Sequence, residues 1–139
     1  MADPTTRPAG AGVVTKDSPL SVPETVDRIT SLAAEAGLKV FAVIDHSGEA
    51  ARVGLELRET KVVIFGSPSA GTPVMVAAPL VALDLPLKVL VWADRDQTRI
   101  SYTDPGFLAS RYGLGPELGE RLAGINHLTD AVTGSAPST

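Results

Sequence analysis

The stretch from Ser21 to Gly37 carries both ends of a helix and one buried face, and it constrains the rest of the chain more than any other feature. In Ser21-Val22-Pro23-Glu24 the Ser21 hydroxyl is placed to accept from a backbone N–H near Glu24 while the Glu24 carboxylate reaches back, the reciprocal arrangement of a capping box. Val22, Val26, Ile29, Leu32 with Ala33, and Ala36 recur at spacings of three and four, and Gly37 supplies a left-handed stop. A helix with one apolar stripe must lay it on another element. Leu38 to Ile44 offers one: it is apolar on both faces apart from Lys39, as expected of an interior strand covered on both sides.

The remaining elements follow from shorter signals. Val13 and Val14 predict a short first strand ending near Ser18-Pro19. After a helical turn around Glu49 to Arg52, Val53 to Leu57 alternates weakly, and Lys61 to Phe65 is a stronger strand closed by Gly66. Ser67-Pro68-Ser69-Ala70-Gly71 reads as a loop, with Thr72 as N-cap and Pro73 at the first position of a short helix through Met75 to Ala78. Leu87 to Trp92 and Thr98 to Tyr102 pair as a hairpin. Asp104-Pro105 opens a short helix to about Tyr112. A last amphipathic helix from Glu117 carries Leu118, Leu122, Ile125, Leu128 or Thr129, and Val132 on one face. The order predicts an α+β fold: a mainly antiparallel sheet with helices on one face, in strand-helix-strands-helix order, with a small inserted helix. The middle strands are apolar on both sides, so the second sheet face also needs cover. A homodimer in which two sheets or sheet faces meet would supply it, as would the inserted helix.

With 139 residues, 44% apolar and 20% charged, the chain suits one domain, since domains run about 100 to 150 residues. Residues 1–11 and 133–139 are rich in small and turn-forming residues and read as flexible tails around a domain spanning 12–132. A formal charge of −4 disfavours nucleic-acid partners, although Lys16, Arg28, Lys39, Arg52 and Arg58 would make a local basic face if they converged. The absence of cysteine excludes disulfides, thiolate zinc sites and cysteine nucleophiles. No secretory signal begins the chain and no segment approaches the roughly 18 apolar residues of a membrane helix, so the expected location is cytoplasmic, with no membrane partner.

Gly66 to Gly71 has the glycine spacing of a phosphate-binding P-loop, but Thr72 and Pro73 stand where Lys and Ser or Thr are required. What survives is a capped connector, or a weaker anion cradle made by N–H groups around Gly71 and Thr72. Asp45-His46 ends a strand, where polar side chains can face a pocket; Asp45 could equally cap the next turn and His46 bond a carbonyl. Met75 offers a thioether that, with His46, would ligate a soft metal or haem iron, or else fills the core. His127 falls opposite the apolar stripe of the last helix and should be solvated. Asp84, set between Leu83 and Leu85, suits either a cap on loop N–H groups or a general base. A triad of Ser67 or Ser69, His46 and Asp84 can be written, but no spacing rule supports it.

The ordered series Phe41-Ala42-Val43-Ile44-Asp45-His46, Val53-Gly54-Leu55-Glu56-Leu57, Val63 through Met75, and Asp84-Leu85-Pro86-Leu87-Lys88 resembles the bacterial and archaeal family called domain of unknown function 302. The resemblance covers about residues 12–132. It implies a small α+β domain of TATA-binding-protein-like arrangement, often dimeric, with no established activity. The family pattern usually has Pro or a similar residue where Arg58 or Glu59 stands. The TATA-like arrangement does not imply DNA binding, because fold does not fix function.

These readings converge on a dimeric binding protein for a small ligand, metal or haem, using His46, Thr72, Gly71 and Met75 with Asp45 and Asp84 in support. A small enzyme pairing His46 with Asp84 as acid and base is the alternative from another class. A ligand-free interaction or stress-response module is the third.

Overall fold

The computed structural model describes residues 10–134. The expected tails lie largely outside them. Helix α1 (Val22–Glu35) begins where its capping box places it, with Ser21 Oγ accepting from Glu24 N at 3.2 Å and Ser21 N donating to Glu24 Oε1 at 3.4 Å. It ends at Gly37, whose φ of +75° lets Gly37 N and Leu38 N turn back onto the carbonyls of Ala34 and Ala33.

Five strands make one antiparallel sheet: β1 (Val13–Ser18), β2 (Lys39–Asp45), β3 (Thr60–Gly66), β4 (Leu87–Asp94) and β5 (Gln97–Thr103), in the order β1-β5-β4-β3-β2. The fold is α+β, as the element order implied. One sheet face presents Val63, Phe65, Val89, Val91, Ile100 and Tyr102 to the stripe of α1 and to Ile125, Leu128 and Val132 of the last helix, forming the main core. Alternate residues, among them Val62, Ile64, Leu90 and Trp92, lie on the other face and are only part-buried.

Helix α2 (His46–Arg52) follows β2 directly, and α3 (Pro68–Ala77) with a 3-10 helix (Pro79–Asp84) fills the β3–β4 connection. Helices α4 (Pro105–Arg111), α5 (Pro116–Glu120) and α6 (Gly124–Thr133) complete the chain. A second core cluster, Val74, Val81, Leu108 and Leu122, joins α3 and the 3-10 helix to α4 and the α5–α6 corner.

Four local expectations change. Strand β2 is not interior: it is the sheet's outer edge, with Phe41 45%, Val43 45% and Ile44 37% exposed. Val53 to Leu57 is not a strand, because Gly54 at φ +78° closes α2 by the same device that closes α1, with Leu55 N bonded to Ala50 O. Helix α3 starts at Pro68 rather than at Thr72, since Ser67 Oγ caps it through Ala70 N. Pro73 therefore sits inside the helix. The last helix is two, broken across Arg121 to Ala123 between Gly119 and Gly124, residues that weaken helical continuity.

Candidate functional site

The register of the sheet separates the sequence's polar candidates into two groups. Lys39 of β2 pairs with Gly66 at one end of β3, and Asp45 pairs with Lys61 at the other. Phe65 pairs with Leu87, so the Ser67 loop and the Leu85-Pro86-Leu87 segment share the first end. Six residues of strand span about 20 Å. His46 therefore stands a sheet's length from Met75, whereas a metal ion holds its ligands within roughly 2.0–2.4 Å. The two do not share a centre, and that geometry excludes the paired soft-metal or haem site. Nor do His46 and Asp84 form an acid–base pair, because Asp84 precedes Leu87 at the Gly66 end. The triad with Ser67 or Ser69 fails for the same reason.

Each polar candidate has a local structural role. Asp45 caps α2, its carboxylate accepting from Ser47 Oγ at 2.6 Å and from Gly48 N at 2.9 Å. These bonds, the Ser47 hydroxyl foremost, hold its carboxyl below the ordinary aspartate range. His46 is the exposed first residue of α2. Asp84 accepts from the Tyr112 hydroxyl and lies 3.5 Å from Arg111 Nη1, so it ties the 3-10 helix to α4 and the residue after it. The Tyr112 phenol is pushed up by that hydrogen bond. His127 is exposed, as its helical phase required.

At the Gly66 end the structure opens a cavity of about 210 Å³. Its floor comes from the sheet end and α1's exit, with Leu38, Phe41 and Phe65. One wall is the first half of α3, where Ser67, Gly71 and Met75 line the space. The opposite wall is Leu85, Pro86 and Leu87, and the α5–α6 corner contributes Arg121, Leu122 and Ile125. Gly71 is an open position in that wall: a Cβ there would sit 3.9 Å from both Leu85 Cδ1 and Met75 Cε, in ordinary contact. Thr72 is inside α3 next to the lining but not part of it.

The lining is apolar except for Ser67 and Arg121. Ser67 is committed to the α3 cap: its Oγ takes the Ala70 N–H at 3.3 Å and its carbonyl takes Gly71 N at 2.8 Å. The anion cradle expected around Gly71 and Thr72 therefore loses those two donors to the helix itself. Arg121 is exposed and forms no ion pair among the described residues. It is the cation at the cavity. No grouping of three or more His, Asp or Glu suited to a metal ion occurs among the described residues.

Of the residues lining the cavity, sequence reasoning singles out Ser67, Gly71 and Met75 as candidates and passes over Phe41 and Arg121. Phe41 is submerged in an apolar strand. Arg121 looks like any charge on an amphipathic helix, and the nearest signal is the pair Gly119 and Gly124, between which the helix is broken and Arg121 lies at the cavity lining.

Comparisons with known proteins bear on this geometry. The chain is 39% identical over 106 residues to a protein named fluoride-specific ion channel FluC 1 of Brucella suis biovar 1, across 76% of this chain and 42% of that protein. A protein of the same name from Brucella abortus biovar 1 matches at 39% identity, across 39% of its length. The chain thus spans about two fifths of these curated relatives. Among the described residues no helix is long and apolar enough to cross a membrane. The crystal structure of an uncharacterized conserved DUF302 protein from Bacillus stearothermophilus superposes with a TM-score of 0.76 at 21% identity, covering 91% of this chain and 98% of that one, which establishes the fold in common. With residues 14–132 matched by the same family, the chain belongs to the family described as domain of unknown function DUF302.

Proposed function

We propose that this domain is a binding module for a small, largely apolar molecule carrying one anionic group, held in the cavity between α3 and the α5–α6 corner. The observation that carries the reading is the pairing of an apolar cavity with Arg121 at its lining. A cavity of about 210 Å³ suits a short aliphatic or small aromatic body. Apolar walls favour such a body through area removed from water, and a guanidinium beside them orients a carboxylate by a charge-assisted hydrogen bond. Met75 and Leu85 adapt the wall to the ligand's shape.

Calorimetric titration with hexanoate, octanoate and the matching neutral alcohols tests the reading. The carboxylates should bind more tightly than the alcohols, and Arg121→Ala should erase that preference at a cost of about tenfold in affinity, or about 1.4 kcal/mol. Gly71→Leu should abolish binding of both by filling the space beside Leu85 and Met75. Absence of saturable binding by either series, or binding indifferent to Gly71→Leu, overturns it.

A second reading rests on the Brucella relatives. We infer that the part of those proteins matched by this chain is a distinct module, and that this chain acts in connection with a membrane fluoride channel. What supports it is that this chain matches about two fifths of a protein named as a fluoride-specific ion channel at 39% identity. The cavity does not suit fluoride itself, because a small hard anion needs more polar partners than these walls offer. Deleting the gene for this chain should lower growth tolerance to fluoride in the host. Unchanged tolerance across a fluoride series removes this reading and leaves the first intact.

A further inference from the structure

The cavity lined by Arg121 has a neighbour. Leu87 and Ile125, which line it, also line a smaller cavity of about 50 Å³ whose other walls are Asp84, Lys88, Thr103 and Leu108. The two spaces therefore share a wall. Ile125 is held in the main core at 1% exposure, whereas Leu87 is half-buried at the first residue of β4 and packs against both core clusters. The β4–β5 pairing runs from Asp94 and Gln97 to Leu90 and Ser101 and stops short of Lys88 and Thr103, so the smaller cavity opens where the two strands part.

Chemical character changes across the shared wall. The larger space is apolar apart from Ser67 and Arg121, while the smaller one carries a carboxylate, an ammonium and a hydroxyl. Asp84 commits Oδ2 to the Tyr112 hydroxyl and to Arg111, and its Oδ1 takes no hydrogen bond among the described residues. A carboxylate oxygen left open in this way accepts one more donor. Arg111 at 3.5 Å and Lys88 in the same lining already balance the charge of Asp84, which favours a neutral hydroxyl over a further cation.

We propose that the two cavities take one ligand, an ω-hydroxy carboxylate, with its carboxylate at Arg121, its alkyl chain passing the Leu87 wall and its hydroxyl donating to Asp84 Oδ1. The inference rests on the apolar-anion reading above and narrows its ligand class. The passage needs only a rotamer change of Leu87, a motion that packed side chains undergo. A chain ending in methyl would set apolar surface among the polar groups of the second space, so the distal hydroxyl becomes the feature selected.

Calorimetric titration of hexanoate, octanoate and decanoate, each against its ω-hydroxy form, tests the proposal. In an apolar cavity with no second space, the added hydroxyl would be buried unpaired and would weaken binding. Here the ω-hydroxy acid should bind about tenfold more tightly than its parent at the chain length that reaches Asp84. Asp84→Ala should remove that preference. Tyr112→Phe, which breaks the same tie to the end of α4 but keeps the carboxylate, should retain it. Parent acids that bind while no ω-hydroxy form binds more tightly overturn the proposal and leave the apolar-anion reading standing. A preference that survives Asp84→Ala, or that is lost equally in Tyr112→Phe, overturns it as well, and absence of binding by both series removes the two readings together.

Discussion

Lys16 shows how a single residue can be structural where its charge suggests a partner-binding role. Its ammonium donates to Thr129 and Asp130, approaches the carbonyl of Asn126 at 3.4 Å and lies 5.1 Å from the centre of the Tyr102 ring. Burial alone would lower its pKa, but the hydrogen bonds and charges of Asp130 and Tyr102 outweigh that, and the net shift is upward from 10.5. The unfolded chain therefore gives up this proton first as pH rises. The stabilisation is complete below about pH 10.5 and is lost as pH climbs through the higher folded value. Lys16→Met should cost about 1–2 kcal/mol at neutral pH, as for a partly exposed charged hydrogen bond, and should flatten the alkaline limb of stability against pH measured by urea unfolding. The residue also illustrates the limit of counting charges: of the five cations considered for a basic face, Lys16 is turned inward and Arg52 is paired with Glu49 at 3.5 Å.

At the scale of elements, the most legible pieces are those whose ends are fixed by neighbours in sequence. The α1 cap and stop are side-chain and backbone bonds within a few residues, so Ser21, Glu24 and Gly37 announce them directly. The α3 start falls several residues before its expected place because two N-caps compete there, Ser67 before Pro68 and Thr72 before Pro73, and local rules rank them equally. The structure chose Ser67. The β4–β5 hairpin matches its expected outline, with Asp94 opposite Gln97 and a two-residue turn between them. Arg95 occupies that turn at φ +59°, where a side chain crowds the backbone. Arg95→Gly should therefore raise stability by about 0.5–1 kcal/mol, seen as a higher urea midpoint with unchanged slope. A lower midpoint would show that the Arg95 side chain holds the turn by contacts that outweigh the strain.

The whole molecule ties the cavity to the core through Phe65, which is 1% exposed, packs in the main cluster and also lines the cavity. Phe65→Ala should cost about 3–5 kcal/mol, a large share of a domain's stability of roughly 5–15 kcal/mol. Part of that loss should be recovered by a ligand long enough to fill the enlarged space, read as a larger thermal shift for decanoate than for hexanoate in the variant and the reverse order in the native chain. Equal shifts in both proteins would place the ligand away from Phe65.

The sequence by itself determined the α+β class, the extent and caps of α1, the hairpin, and the DUF302 membership, because each rests on periodicity, short-range hydrogen bonding or ordered motifs along one stretch of chain. Only the tertiary structure decided that β2 is an edge, that His46 and Met75 stand at opposite ends of the sheet, and that Arg121 meets Gly71 and Phe41 around one cavity. Strand order and the meeting of distant loops depend on pairings between residues far apart in the chain, and local pattern is the same whichever neighbour a strand finally acquires.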